Sequence, residues 1–222
     1  MASTNTFLDR IPPVTRSLLI INVIMFVATL VSEDFMIRTF AMFYPVSPLF
    51  RWWQPLTHMF MHGGWWHILF NMYTLVMFGM VVERALGTKK FLILYFVTGL
   101  GAVALHTGVE WLDIHRLAAS ASPTAQTDII DMLRTPMVGA SGAIYGVLVA
   151  FAMLYPEARM TLIFPPVTLD AKWMVIIFVG IELLTGITGT QVGIAHFAHL
   201  GGALFGFLLI LYWRKRGELW RR

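Results

Sequence analysis

Six apolar runs decide what this chain can fold into. Val14 to Val31, Trp65 to Val82, Phe91 to Val109, Met137 to Tyr155, Trp173 to Thr190 and Ile194 to Trp213 each hold roughly 18 to 20 residues. At 1.5 Å per residue, that is enough for a helix to cross about 30 Å of hydrocarbon. Composition agrees: 58% of the 222 residues are hydrophobic and 13% charged, with a mean hydropathy of +0.72, which no soluble domain of ordinary make-up carries. The expected fold is all-α, a polytopic membrane bundle of six transmembrane helices over residues 1–222 as a single domain.

With six crossings the termini share a side. That side receives Arg10, Arg16, Arg84, Lys89, Lys90, Arg159, Lys172, Arg214, Lys215, Arg216, Arg221 and Arg222, against Arg38, Arg51, Arg116 and Arg134 on the other. The positive-inside rule then makes both termini cytoplasmic, a short N-terminal segment 1–13 and a basic tail 214–222. The net charge of +4 faces anionic headgroups of the bilayer and requires no nucleic-acid partner. Polar residues precede the first run and no small-residue cleavage site follows it, so it is read as a retained helix and not as a signal peptide. Organelle import is not expected either, and a bacterial inner (plasma) membrane is the expected location. Zero cysteines exclude disulfides, thiolate catalysis and cysteine-based metal sites; no metal and no cofactor is expected.

Two connections are long. Glu33 to Gly64, dense in aromatics, is expected to lie along the outer interface, and His115 to Pro136 reads as an ordinary polar outer loop. The inner connections are "ERALGTKK" and "PEARMTLIFPPVTLDAK", the second broken by Pro165-Pro166. No internal repeat supports an inverted-repeat transporter.

Polar side chains inside the runs are costly in lipid and need partners or a task. They are His67 and Asn71 in the second run, Ser141 and Tyr145 in the fourth, Glu182 in the fifth, and His196 and His199 in the sixth. Counted from the inner ends, Ser141 and His199 both stand about 21 Å up, Asn71 about 17 Å and His67 about 23 Å. One layer therefore collects a hydroxyl, a base and two donors. A serine hydroxyl becomes a nucleophile when a base takes its proton, and His199 is that base. The oxyanion formed on attack needs donors aimed at it: His67 and Asn71, one helical turn apart, and the backbone N–H of Ser141 near a helix start. Gly142 with Gly146, and Gly202 with Gly206, form smooth stripes on the fourth and sixth runs, letting the two backbones approach closely enough for Ser141 to reach His199. Tyr145 lies on the face of Ser141, beneath the imidazole. No acid stands at the same depth, so a Ser-His dyad is expected; Glu182, about 15 Å into its run, is read as a structural hydrogen-bonding group. His58 and His62 are read as interfacial and water-facing, and His196 as a rim or capping residue.

"HGGWWHILFN" (His62 to Asn71), "GASGAIYG" (Gly139 to Gly146) and "AHLGGALFG" (Ala198 to Gly206) resemble, in order and placement, the motifs of the rhomboid intramembrane serine proteases. "VVERALG", with Glu83 and Arg84, is similar to the family's inner turn, and the resemblance covers about residues 50 to 213. It implies an intramembrane serine endopeptidase acting on transmembrane protein substrates whose helices unwind near the outer face. Ser141 would be nucleophile, His199 base, Asn71 and His67 oxyanion donors, and Tyr145, His62, Gly139, Gly142 and Gly202 supporting residues. It also implies that the fifth span and the connection Thr185 to Gly193 act as lateral gate and cap. Many members carry Trp-Arg in the first outer loop where this chain has Trp53-Gln54, so the arginine's role there does not carry over. Two other readings compete: a non-catalytic relative that binds membrane clients, and a haem-binding protein using the seven histidines. The latter leaves the glycines around Ser141 without purpose.

Overall fold

The computed structural model describes residues 7–162, 166–188 and 196–219. Helix α1 is Pro13–Val31 and opens with proline at a position where a backbone N–H would have no partner. Its remaining free donors are met by a side chain from elsewhere. The Glu83 carboxylate, 2% exposed, accepts from the N–H groups of Val14 and Thr15 at 3.0 and 2.7 Å and from the Thr15 hydroxyl at 2.7 Å. An anion at a helix start also faces the positive end of the helix dipole. Beside it, Arg84 donates to the Arg10 carbonyl at 2.7 Å. The "VVERALG" turn thus fastens the beginning of α1 to the end of the next long helix.

That long helix runs continuously over Trp65–Leu86, as α4 (Trp65–Thr74), a π turn (Leu75–Gly79) and α5 (Met80–Leu86). Gly87, at φ +78°, turns the chain straight into α6, Thr88–Ala119. Between α1 and α4 the chain forms α2 (Glu33–Phe40), α3 (Gln54–Thr57) and a 3-10 turn (His58–Phe60). This segment is stitched to itself: Trp53 Nε1 donates to Thr39 O at 2.8 Å, Thr57 Oγ1 to Phe40 O at 2.8 Å. Fully buried Gln54 donates to Arg38 O and Leu49 O and accepts from Arg51 N–H at 3.0 Å. A neutral amide does the bridging here, while the Arg51 side chain only reaches nearby carbonyls of its own turn. Trp52, Trp65 and Trp66 remain exposed, as suits side chains at a membrane interface.

The second half contains α7 (Ala125–Arg134), α8 (Ser141–Leu154), the strands β1 (Arg159–Thr161) and β2 (Thr168–Asp170), α9 (Ala171–Thr188) and α10 (His196–Lys215). Helices α6, α8 and α10 pack against one another at the centre, and most of α8 is buried. Helix α9 is peripheral, with Trp173, Ile176, Ile181, Leu184 and Ile187 exposed, the surface expected of a helix that faces lipid. Lys90 at the start of α6 pairs with Glu218 beyond α10 at 3.4 Å, and Arg214 donates to Met153 O at the end of α8. Both ends of the described chain therefore gather their basic residues at one end of the bundle.

Three expectations from the sequence are corrected. The third run is a longer helix, 32 residues or about 48 Å, so it projects beyond the hydrocarbon into what was read as loop. That loop then holds an amphipathic helix, α7, in place of irregular chain. The fourth run begins helical structure at Ser141, not Met137: Met137 pairs with Met42 by two backbone hydrogen bonds of 2.9 and 2.8 Å, and Gly139 N–H donates to His58 O at 3.0 Å. The chain before Ser141 is thus held extended by the first outer segment, and α8 keeps 14 residues, about 21 Å. Five helices among the described residues are long and apolar enough to cross a membrane, and α8 is the shorter sixth. The inner connection after α8 carries an antiparallel hairpin, with Arg159 opposite Asp170 and bonded to it at 3.2 Å.

Glu83→Ala should unfold at a lower temperature in detergent than the native chain. Losing an ionic partner that satisfies several buried donors is expected to cost about 2 to 4 kcal/mol; Thr15→Ser, which keeps the hydroxyl, should stay close to native in the same thermal-shift assay.

Candidate active site

The α10 glycines face α8 as the sequence implies, whereas the α8 stripe faces α6, since a Cβ on Gly142 would meet Ala102 and one on Gly146 would meet Thr98. A Cβ on Gly202 would overlap the Gly142 carbonyl, and one on Gly206 would lie 2.8 Å from the Gly146 backbone. Helices α8 and α10 therefore touch backbone to backbone, closer than side chains would allow. The result is a hydrogen bond of 2.7 Å between Ser141 Oγ and His199 Nε2. Tyr145, one turn along α8, stacks on the His199 ring with centroids 4.6 Å apart and planes 10° from parallel.

Ser141 is the first residue of α8, so its N–H has no carbonyl one turn back to accept it. Among the described residues it has no other acceptor. Gly139, at φ +130°, sits in backbone space that favours glycine. A Cβ there would stand 2.8 Å from His67 Nε2 and 3.5 Å from Ser141 Oγ, so the histidine edge and the serine hydroxyl flank the same small volume. His67 Nδ1 accepts from Gly63 N–H at 3.4 Å, which leaves the proton of a neutral ring on Nε2, facing that volume. His62 meets the His67 ring edge-on at 5.0 Å. It is 2% exposed, and burial, then the neighbouring His67, lowers its imidazole to about 3. His58 is buried as well, its Nδ1 3.2 Å from Gln54 O. Both histidines thus lie inside the packed outer segment and not against water, because the Met42–Met137 pairing folds that segment over the start of α8.

Asn71 is buried at 6% exposure, one turn below His67 on the same face of α4. Its amide is hydrogen-bonded to neither Ser141 nor His199. The structure brings together Ser141, His199, Tyr145, His67 and Gly139, places His62 behind His67, and leaves Asn71 adjacent along the helix.

Glu182 on α9 makes the expected hydrogen bond to a neighbouring helix and reaches further than expected, to the His199 ring. Its Oε1 accepts the Tyr145 hydroxyl at 2.5 Å and stands 2.9 Å from His199 Nδ1; its Oε2 lies 2.6 Å from His196 Nδ1. The Nδ1 contact is close but bent away from the N–H···O line, so it brings charge more than a directed hydrogen bond. An acid therefore does reach the His199 ring, and His196, also contacted by Thr185 Oγ1 at 3.1 Å, is a buried partner of that acid and no rim residue. Counting residues missed this because it ranks Cα heights, whereas a glutamate side chain spans about the rise of one turn. The usable signal was a carboxylate in an otherwise apolar helix. The expected cap, Thr185 to Gly193, lies partly outside the described residues.

The helical bundle thus holds a partly buried serine–histidine hydrogen bond at the start of a short central helix, beside a free backbone N–H and the edge of a second imidazole. Comparison with known proteins gives the family of this membrane bundle. The Rhomboid domain matches residues 49–216, and the chain belongs to the rhomboid family. It is 29% identical over 168 residues to the Rhomboid protease AarA of Providencia stuartii, covering 75% of this chain and 57% of that protein. It is 35% identical over 150 residues to the mitochondrial RHOMBOID-like protein 12 of Arabidopsis thaliana, covering 67% of this chain and 42% of the relative. With the chloroplastic Rhomboid-like protein 11 of the same plant it shares 27% over 187 residues, 82% of this chain and 59% of that one. The matches thus span about half the length of these relatives.

Gly202→Ala should separate α8 from α10, since the new methyl meets backbone that cannot swing aside; overpacking of this kind costs about 1 to 3 kcal/mol. The expected reading is a lowered thermal midpoint together with loss of fluorophosphonate labelling, while Gly108→Ala, in α6 with open space where the methyl would stand, leaves labelling intact.

Proposed function

We propose that this chain is an intramembrane serine endopeptidase that cleaves peptide bonds in or beside transmembrane segments of other membrane proteins. The observation that carries the reading is the 2.7 Å hydrogen bond from Ser141 Oγ to His199 Nε2 at a helix start whose own N–H is free. In this mechanism Nε2 takes the hydroxyl proton as Oγ bonds to the scissile carbonyl carbon, and the carbonyl electron pair moves onto oxygen. The Ser141 N–H and His67 Nε2–H face the volume where that oxyanion would form, and Asn71 would join them by a side-chain rotation once substrate is present. The protonated His199 then gives its proton to the leaving amine nitrogen as the C–N bond breaks. Water, deprotonated by the same nitrogen, releases the acyl group and restores the serine. Tyr145 holds the ring in plane through both half-reactions.

The short α8 supports this reading on physical grounds. A peptide bond buried in a lipid-facing helix is protected by its own hydrogen bonding, so hydrolysis needs a site where polar groups and water meet the end of a substrate span. Beginning α8 below the outer surface provides such a place. The proposed substrates are therefore single-span proteins presented from the bilayer near the outer end of the bundle, and the proposed location is a bacterial inner membrane, with both termini cytoplasmic.

Purified protein treated with a fluorophosphonate probe should become labelled, and Ser141→Ala and His199→Ala should each abolish labelling while remaining folded and membrane-inserted. Undiminished labelling of Ser141→Ala would reject the assignment and favour the non-catalytic client-binding reading. Asn71→Ala is expected to lower turnover of a single-span substrate by about 10- to 1,000-fold, the range for loss of one oxyanion donor, and unchanged cleavage removes Asn71 from the site.

A further inference from the structure

We infer that Glu182 is a positioning residue for His199, so that the site works as a serine–histidine–glutamate triad whose acid comes from the peripheral helix α9. The inference deepens the proposed endopeptidase reading and rests on it.

Two hydrogen bonds and one close imidazole contact converge on this one carboxylate. The Tyr145 hydroxyl and the His199 Nδ1 share Oε1, at 2.5 and 2.9 Å, and His196 Nδ1 meets Oε2 at 2.6 Å. A tie between α8 and α9 would need only the tyrosine. Adding two imidazoles surrounds the acid with groups on α8 and α10 that include the proposed base itself. Charges on α9 are otherwise confined to Lys172 at its first turn, so a carboxylate midway along it is expensive in lipid and needs a compensating interaction.

The geometry also answers a requirement of the chemistry. For Nε2 to take the Ser141 proton, a neutral His199 must carry its own hydrogen on Nδ1. The nearest acceptor to Nδ1 is Glu182 Oε1, which favours that tautomer. When the proton arrives on Nε2, the ring becomes an imidazolium, and the closest negative charge is this carboxylate. A bent contact still delivers that stabilisation, because Coulomb attraction depends on distance more than on the N–H···O angle. Tyr145 adds a mechanical element: its ring stacks on His199 while its hydroxyl holds Oε1, so imidazole and acid are clamped by one side chain.

The test uses the full chain in proteoliposomes with a single-span membrane substrate, read in parallel with fluorophosphonate labelling rates. Glu182→Gln keeps the size and an acceptor for Tyr145 but removes the charge; Glu182→Asp keeps the charge at shorter reach. The expected result is a fall of about 10- to 100-fold in kcat and labelling rate for Glu182→Gln with KM within about two-fold of native, and a smaller loss for Glu182→Asp. A purely structural tie predicts the reverse order, with the isosteric glutamine the better substitute, and that result overturns the inference, as do native rates in Glu182→Gln. The nitrogen-15 spectrum of the His199 ring in the native chain gives a reading that needs no variant: a proton on Nδ1 is expected, and a proton on Nε2 with bare Nδ1 overturns it. Labelling that survives Ser141→Ala overturns both readings, whereas labelling that requires Ser141 but is indifferent to Glu182→Gln overturns this one alone.

Discussion

The contact on which the site depends is made by two helix backbones. Gly142 and Gly146 on α8 meet Gly202 and Gly206 on α10 with no side chain between them. Helices in lipid gain little from hydrophobic association, since the tails around them are as apolar as leucine, so close packing and interhelical hydrogen bonds have to hold them together. Four glycines in register permit the close packing. Because Ser141 precedes Gly142 by one residue and His199 precedes Gly202 by three, the same approach puts a hydroxyl within 2.7 Å of an imidazole. A methyl on Gly202 or Gly206 would meet the α8 backbone and open this contact.

Around that seam, three polar side chains stand where several backbone or side-chain groups converge. Glu83 closes the open start of α1, Gln54 ties together the carbonyls and an amide of the outer segment, and Glu182 gathers Tyr145 of α8 and two imidazoles of α10. In an apolar surrounding an unmet donor costs more than the net gain of a typical hydrogen bond, so each of these side chains fixes the relative position of at least two elements. Glu83 and Gln54 stand away from the glycine seam and stabilise the frame. Glu182 stands on the seam's open side, on the least buried of the long apolar helices among the described residues, and joins the frame to the Ser141–His199 pair.

The outer segment and α8 are one construction. The backbone pairing of Met42 with Met137 and the bond from Gly139 to His58 prevent helical structure from starting before Ser141. That leaves the first N–H groups of α8 free beneath the surface, beside the His67 edge. The loop-like residues from Ala41 to Gly64 therefore do more than connect helices: they decide where α8 begins, and thereby where its unpaired donors lie.

Much was legible from composition and spacing alone. Apolar runs of bilayer length announce membrane helices because hydrocarbon tolerates little else, and five of the helices found are long enough to cross. The i, i+4 glycines, with Ser141 and His199 counted to equal height, foretold the central pairing because helical rise is regular. What regular rise cannot encode is where a helix stops being a helix and how far a side chain reaches. The start of α8 at Ser141 was set by pairing with a distant segment. The acid was missed for a related reason. Glu182 sits lower on its own helix than His199 on its, and only the packing of α9 against α8 and α10 turns that offset into a contact of 2.9 Å. Sequence determined the membrane bundle and the two partners of its central hydrogen bond; tertiary structure decided which further polar groups surround them, since that depends on distances between helices that no single helix contains.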